Sequence, residues 1–398
     1  MNYLSTSESW SFRTEPITPI HGPMSTRSDL DIDLDRVAAR SLRDDILSAA
    51  VALSASDVHV APGSTPVARV DGSLVPLGTA VWGADAVASF CRSLCSDRHW
   101  AEVEKVGTAD FGISHSNGDR FRVSVLRQRN GLAAVLRRIA GALLTFEEIG
   151  LPAGITDLLR KARGLVLVTG PTGSGKSTTL ATMVDWINEN LERHIVTIED
   201  PVEFTHRPKR SLITQREVGE DVPTFAEAMR RVLRQDPDVI LLGEMRDLDT
   251  ISAAVTAAET GHLVLGTLHT TGSAATVSRI IDVFPANQQA QIRVQLAMSL
   301  TAVISQVLVP ERPPEGSEPN RHGRVAALEV MVMTPAIANM IRTNDINRIN
   351  DVIQTSLHLG MFRLDDHLLR LVASNRITAA DALGFAGDPT ALSQRLKR

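Results

Sequence analysis

The sequence predicts an α/β fold in two parts. A small N-terminal α+β domain precedes a larger domain with a parallel-rich sheet and C-terminal helices. Three observations predict it. Short alternating apolar runs broken by turn dipeptides fill the first third of the chain. Beyond Leu151, continuous apolar runs alternate with helical stretches, the pattern of buried parallel strands with crossover helices. A glycine-rich loop stands between one such run and a helix. The length of 398 residues fits two domains at ~150 residues each. A content of 43% hydrophobic and 22% charged residues excludes wholesale disorder.

The elements follow in order. Residues 1–34 are rich in Ser, Thr, Pro and Asp, the composition of a disordered tail. Residues 35–139 form the first domain. Val37, Ile46, Ala49, Ala50 and Leu53 suit one face of a helix. Val58 and Val60 alternate with Asp57 and His59, and Val67 to Val70 and Leu74 to Leu77 flank Asp71-Gly72 as a hairpin. A helical stretch holds Cys91, Cys95 and Trp100, which puts the two cysteines on one helix face. Phe111 to Ser114 and Phe121 to Leu126 flank Asn117-Gly118 as a second hairpin, and Gly131 opens an apolar run to Ile139. Residues 140–150 read as a linker. From 151 to 398 the strands are Leu165 to Thr169, His194 to Ile198, Val239 to Gly243 and Leu263 to Leu268. Pro310 to Arg324 is a polar loop, and helices follow from Pro335.

Composition narrows the function classes. A net charge of −5 and 4% aromatics argue against nucleic acid as a partner. Two cysteines read as small buried thiols; they make neither a disulfide framework nor a structural zinc site, which fits a reducing cytoplasm. No apolar run reaches the ~18 residues of a spanning helix, and the first residues lack a signal-peptide pattern.

The chemistry starts at Gly170-Pro171-Thr172-Gly173-Ser174-Gly175-Lys176-Ser177, which satisfies G-x-x-x-x-G-K-[ST] after a strand and before a helix. Glycines let backbone N–H groups turn inward around phosphates, and the helix N-terminus adds partial positive charge. Lys176 is expected on the β- and γ-phosphates and Ser177 on Mg²⁺. Thr178 completes the nucleotide-binding set.

Two acids end strands. Val239 to Gly243 runs into Glu244, and Thr197-Ile198 into Glu199-Asp200-Pro201. Ligands of open α/β sheets bind beyond the carboxyl ends of strands, so Glu244 and Glu199 can orient water or hold Mg²⁺ through water. Each could equally be a turn residue, and the residues alone leave both readings open. His262 and His269 bracket Leu263 to Leu268; His269 lies at the ligand end, whereas phosphate contact from His262 is geometrically doubtful. Thr224 to Glu227 is a capping-box pattern. Arg120, Arg122, Arg127, Arg129, Arg137 and Arg138 read as a solvated strand face or as arginine fingers toward a neighbouring subunit's nucleotide.

Taken together, these motifs resemble the secretion ATPase superfamily that powers type II secretion, type IV pili and some type IV secretion. Four boxes match: Walker A at 170–177, an Asp box from Thr197 to Phe204, an atypical Walker B at 233–247, and a His box from Gly261 to Thr270. Within it the sequence is most similar to the pilus retraction, or twitching-motility, ATPases. Ala55-Ser56-Asp57-Val58-His59, Arg69-Val70-Asp71-Gly72, Arg120-Phe121-Arg122-Val123, Gln215-Arg216-Glu217-Val218 and Thr334-Pro335-Ala336-Ile337 carry that likeness.

The resemblance implies a PAS-like first domain, a RecA-like second domain and a homohexameric ring using ATP and Mg²⁺. It implies Glu244 as catalytic acid, Glu199 supporting water and metal, His262 and His269 coupling phosphate state to conformation, and Arg122 and Arg137 as fingers. It further implies a cytoplasmic motor, peripheral to the inner membrane through a pilus platform protein, with other pilus ATPases as further partners. The family's AIRNLIRE helix reads Ala336-Ile337-Ala338-Asn339-Met340-Ile341-Arg342-Thr343 here, without charges at Ala338 and Thr343. The tetracysteine zinc module of assembly ATPases is absent. Two alternatives stand beside retraction: an ATPase of a type IV secretion or conjugation machine, and a low-activity regulatory partner of a retraction motor.

Overall fold

A computed structural model of the chain describes residues 39–397, except 71, 117, 140–142 and 313–322. The expected tail, part of the expected linker and most of the 310–324 loop lie outside the described residues.

The first part carries six strands: β1 (Asp57–Val60), β2 (Val67–Val70), β3 (Ser73–Pro76), β4 (Thr108–Ser114), β5 (Arg120–Gln128) and β6 (Gly131–Ile139). They form one antiparallel sheet in the order β3-β2-β1-β6-β5-β4. Both expected hairpins are present, β2–β3 and β4–β5. Alternation along β5 sends Phe121, Val123 and Val125 into the core and leaves Arg120, Arg122 and Ser124 on the other face. That core is closed by helices Ala39–Ala52 and Ala84–Leu94, which contribute Ile46, Leu47, Val87 and Phe90.

The two cysteines do not share a helix. Helix Ala84–Leu94 ends at Cys95, which is extended (φ −87°, ψ 138°), and a new helix starts at Asp97, capped by the Ser96 side chain. A serine cap after Cys95 competes with helix continuation, and the i, i+4 spacing did not register it. Both thiols are buried and free, and burial pushes Cys91 up to about 12 and Cys95 up to about 11.

The second part carries seven strands: β7 (Gly164–Thr169), β8 (His194–Glu199), β9 (Leu212–Glu217), β10 (Val239–Leu242), β11 (Leu263–Leu268), β12 (Leu300–Pro310) and β13 (Arg324–Val332). The sheet order is β13-β12-β7-β11-β10-β8-β9, parallel from β12 through β9, with β13 antiparallel at one edge. The expected α/β class is thus the observed one, with a parallel-rich sheet. β7 is buried along its whole length, and its residues alternate between two cores. Leu165 and Leu167 face the helices Leu248–Thr260 and Ala286–Ser299; Val166 and Val168 face the helix Lys176–Asn190. Residues 146–149, inside the expected linker, form a short helix with a complete Thr145–Glu148 capping box, and Phe146 and Ile149 are buried in the second of these cores.

β9, β12 and β13 were not expected as strands. β9 is an edge strand with little burial, so its apolar signal is weak. β12 and β13 pair with each other across the residues read as a loop. At Thr224 only half of the expected capping box forms: its hydroxyl accepts from Glu227 N (3.2 Å), while the Glu227 carboxylate pairs with Arg231 instead.

Candidate active site

The glycine-rich loop joins the carboxyl end of β7 to helix Lys176–Asn190. Its path needs left-handed backbone at Gly173 (φ 78°) and Gly175 (φ 87°), which glycine adopts without a Cβ penalty. At Gly170 space is also decisive, because a Cβ there would meet the Gln306 carbonyl oxygen at 2.2 Å. Lys176 Nζ lies over the loop and donates to the carbonyls of Gly170 (2.9 Å) and Pro171 (3.0 Å). Burial holds its pKa below the ordinary lysine value, partly offset by Glu203 and Glu244.

A polar cavity of about 400 Å³ opens beside this loop. Thr172, Gly173, Lys176 and Ser177 line one side of it. The acids that end β8 and β10 line the other: Glu199, Asp200 and Glu244. The Glu244 turn is stitched to both neighbouring strands. Gly243 N donates to Ile198 O (2.8 Å), Met245 N donates to Thr267 O (3.0 Å), and Thr267 Oγ1 donates to Gly243 O. The parallel register, with Leu242 opposite Ile198, therefore sets Glu199 beside Gly243 and brings Glu199 and Glu244 to the same sheet end, where the loop sits.

The charges are tuned. Burial raises the Glu199 carboxyl from 4.5 to about 7, against hydrogen bonds from Thr197 Oγ1 (2.7 Å) and Gln215 Nε2 (3.4 Å). Burial also raises Glu244, with Arg246 (2.7 Å) opposing and Asp200 reinforcing the shift. His269 shares the cavity, and its pKa is lowered by burial and by the positive charges of Lys176 and Arg246.

Across the loop lies the first sheet. Arg122 lines the cavity from β5, and a neighbouring cleft of about 450 Å³ is lined by Arg122, Arg137, Lys176, Ser177 and Thr178. Arg122 and Arg137 are direct cross-strand partners on β5 and β6. Arg137 is tied to Asp57 (2.9 Å). Burial would raise the Asp57 carboxyl, but the Arg137 and Ser56 hydrogen bonds outweigh it and hold it low. Both arginines face the phosphate loop of their own chain.

A family model described as "Type II/IV secretion system protein" matches residues 33–365. The chain belongs to this family. Among family proteins, it is 45% identical over 338 residues to the "Type IV pilus retractation ATPase PilT" of Pseudomonas aeruginosa, covering 85% of this chain and 96% of that one. It is 45% identical over 329 residues to the "Twitching motility protein" of Neisseria gonorrhoeae, covering 83% and 86%. The solved structure "Crystal Structure of the Pilus Retraction Motor PilT and Bound ADP" superposes with a TM-score of 0.80 at 41% identity, covering 88% of this chain and 98% of that one. The expected likeness to type IV pilus retraction ATPases, and membership of an ATPase family, therefore stand.

Not every expected site residue meets in the cavity. His262 lies at the opposite end of β11, beside Gly164, with Nδ1 against Ala257 O (3.1 Å). Ser174 is buried under the loop, its hydroxyl without a partner. Glu203, Arg246 and Gln306 were not singled out by sequence reading. The first two lie inside the Asp box and the atypical Walker B stretch, the one local signal for them. Gln306 sits 130 residues beyond Lys176 and had none.

Proposed function

We propose that this chain is a Mg²⁺-dependent ATPase motor that hydrolyses ATP and drives retraction of a type IV pilus. The observation that carries it is the convergence of the phosphate loop, two strand-end acids and Arg122 on one cavity. In this reading Glu244 takes a proton from a water whose oxygen attacks the γ-phosphorus. The bond from that phosphorus to the bridging oxygen breaks, ADP leaves, and the proton returns to solvent. A raised carboxyl pKa favours that role, because a base works best near the operating pH. The Lys176 ammonium and Arg122 guanidinium supply charge toward the transferred group.

The donor set fits a hard cation. Ser177 opens the helix after the loop, and Glu199, Asp200 and Glu244 supply oxygens to the same cavity. Among the described residues no three His, Cys, Asp or Glu cluster to hold a metal alone, and Mg²⁺ commonly relies on substrate phosphates and one or two carboxylates. Bound there, Mg²⁺ would neutralise charge on the phosphate oxygens.

Retraction as the output rests on similarity to the retraction and twitching proteins named above. The working form in this reading is a hexamer acting on an inner-membrane platform protein from the cytoplasmic side. No helix among the described residues is long and apolar enough to cross a membrane. Deletion of the gene is expected to leave surface pili in place and abolish twitching. Loss of surface pili instead would overturn retraction. The enzymatic half is tested separately by phosphate release from purified protein, with Lys176→Ala as the inactive reference.

A further inference from the structure

Gln306 is the buried residue against which the phosphate loop is built. It lies on β12 with 1% of its surface exposed. Its side-chain amide Nε2 donates to the Ser174 carbonyl at the crown of the loop, and its Oε1 accepts from Thr179 Oγ1 (2.9 Å) in the first turn of the following helix. One side chain thus joins the loop to the helix that continues it. Its own backbone carbonyl packs so close to Gly170 that no side chain fits there, and Nε2 would stand 3.1 Å from a Cβ at Gly175. The neighbouring residue, Ser305, accepts from Gly272 N (2.8 Å), which fixes β12 against the turn after His269.

We propose that Gln306 is a positioning residue for nucleotide binding: its amide holds the Ser174 carbonyl turned away from the cavity, so that the loop N–H groups point toward the phosphates. A peptide carbonyl and its following N–H point in opposite directions along one rigid plane, so anchoring the Ser174 oxygen orients the Gly175 N–H. The buried amide donates once through Nε2 and accepts once through Oε1, and losing it leaves the Ser174 oxygen and Thr179 hydroxyl without partners in a buried site. Gln306 touches no reacting atom in this geometry, so its effect falls on binding and not on the chemical step. The inference rests on the nucleotide-binding reading of the loop.

The test compares wild type, Gln306→Leu, Thr179→Val, the double variant and Gln306→Glu, using ADP binding by calorimetry and steady-state ATP hydrolysis. Gln306→Leu is expected to weaken ADP binding and raise the KM for ATP by about tenfold or more, with kcat changed by less than about threefold, the signature of lost uniform binding. Thr179→Val should show a smaller loss of the same kind, and the double variant should fall short of the product of the two. Gln306→Glu gives a readout that mere packing would not move. A neutral carboxylic acid there can both donate and accept as the amide does, whereas the carboxylate cannot donate. Its ADP affinity should recover as pH falls from 8 to 5, relative to wild type. If Gln306→Leu is insoluble, Thr179→Val and Gln306→Glu carry the same test. Wild-type affinity in Gln306→Leu, loss of kcat at unchanged ADP affinity, or a pH profile of Gln306→Glu parallel to wild type would each overturn the proposal. Failure of the wild type itself to bind ADP would instead overturn the nucleotide reading.

Discussion

Arg120 on β5 and Glu217 at the end of β9 form an ion pair 3.3 Å apart that joins the two sheets. Both side chains are mostly buried, 16% and 12% exposed, and the Glu217 carboxylate also accepts from Val202 N (3.0 Å), two residues past Asp200. The first sheet is therefore fastened to the segment that carries the β8 acids. Arg98 and His99 reinforce the contact through Glu220.

Removing one partner of such a pair strands a charge. Arg120→Ala is expected to destabilise the protein by about 3 kcal/mol, and Glu217→Gln by less, because an amide oxygen still accepts from Val202 N. Chemical denaturation of the purified variants measures this. A loss below about 0.5 kcal/mol for Arg120→Ala would mean that the two parts are not docked this way in solution.

Glu244 and Lys176 separate chemistry from folding. Glu244→Gln keeps the side-chain shape but cannot take a proton, so hydrolysis should fall by about 10²–10⁴-fold while ADP still binds. Lys176→Ala should remove turnover with a wild-type circular dichroism spectrum, since the ammonium caps only two loop carbonyls. Hydrolysis by Glu244→Gln at the wild-type rate would reassign the base.

Glu199 gives a pH signature. Its carboxyl is raised from 4.5 to about 7, so between these values the folded state holds a proton that the unfolded chain releases. The stabilisation is complete below pH 4.5 and is lost as pH rises through about 7, in total about 3 kcal/mol. Glu199→Gln mimics the protonated acid and should flatten this part of the pH–stability curve. Urea midpoints at pH 5 and pH 8 provide the check, and an equal pH response in both proteins would refute it.

Position along the strands ranks the remaining candidates. Arg122→Ala should lower kcat by about 10³-fold or more if the guanidinium stabilises charge on the transferred group, and Arg137→Ala by less, because Arg137 is tied to Asp57 and is 70% exposed. His269→Ala should disturb nucleotide turnover more than His262→Ala. Parallel kinetics of the four variants decides; a larger defect in His262→Ala would place its effect at the far end of β11.

What could be read from sequence was local. The loop, β7 and the acids after β8 and β10 each lie within a dozen residues, where motif and apolar run coincide. Both hairpins were legible from their turn dipeptides. The Cys95 helix break was not, because a cap two residues into a long apolar–polar pattern resembles continuation. Gln306 and Glu217 escaped for a different reason. A lone Gln in an apolar run and a Glu on an edge strand acquire meaning only when the strand order sets them beside Ser174 and Arg120, and strand order is not a local property.

The like-charged pair Arg122 and Arg137 stands on adjacent strands of a sheet that is covalently continuous with the loop it faces. Placing both groups on one chain makes their encounter intramolecular. The guanidinium groups thus reach the phosphate cavity as an intramolecular event, at a frequency independent of how much protein is present. Occupancy of the arginine position should then be the same in dilute and concentrated solution, and any dependence of turnover on protein concentration reports the assembly of copies and not the arrival of Arg122.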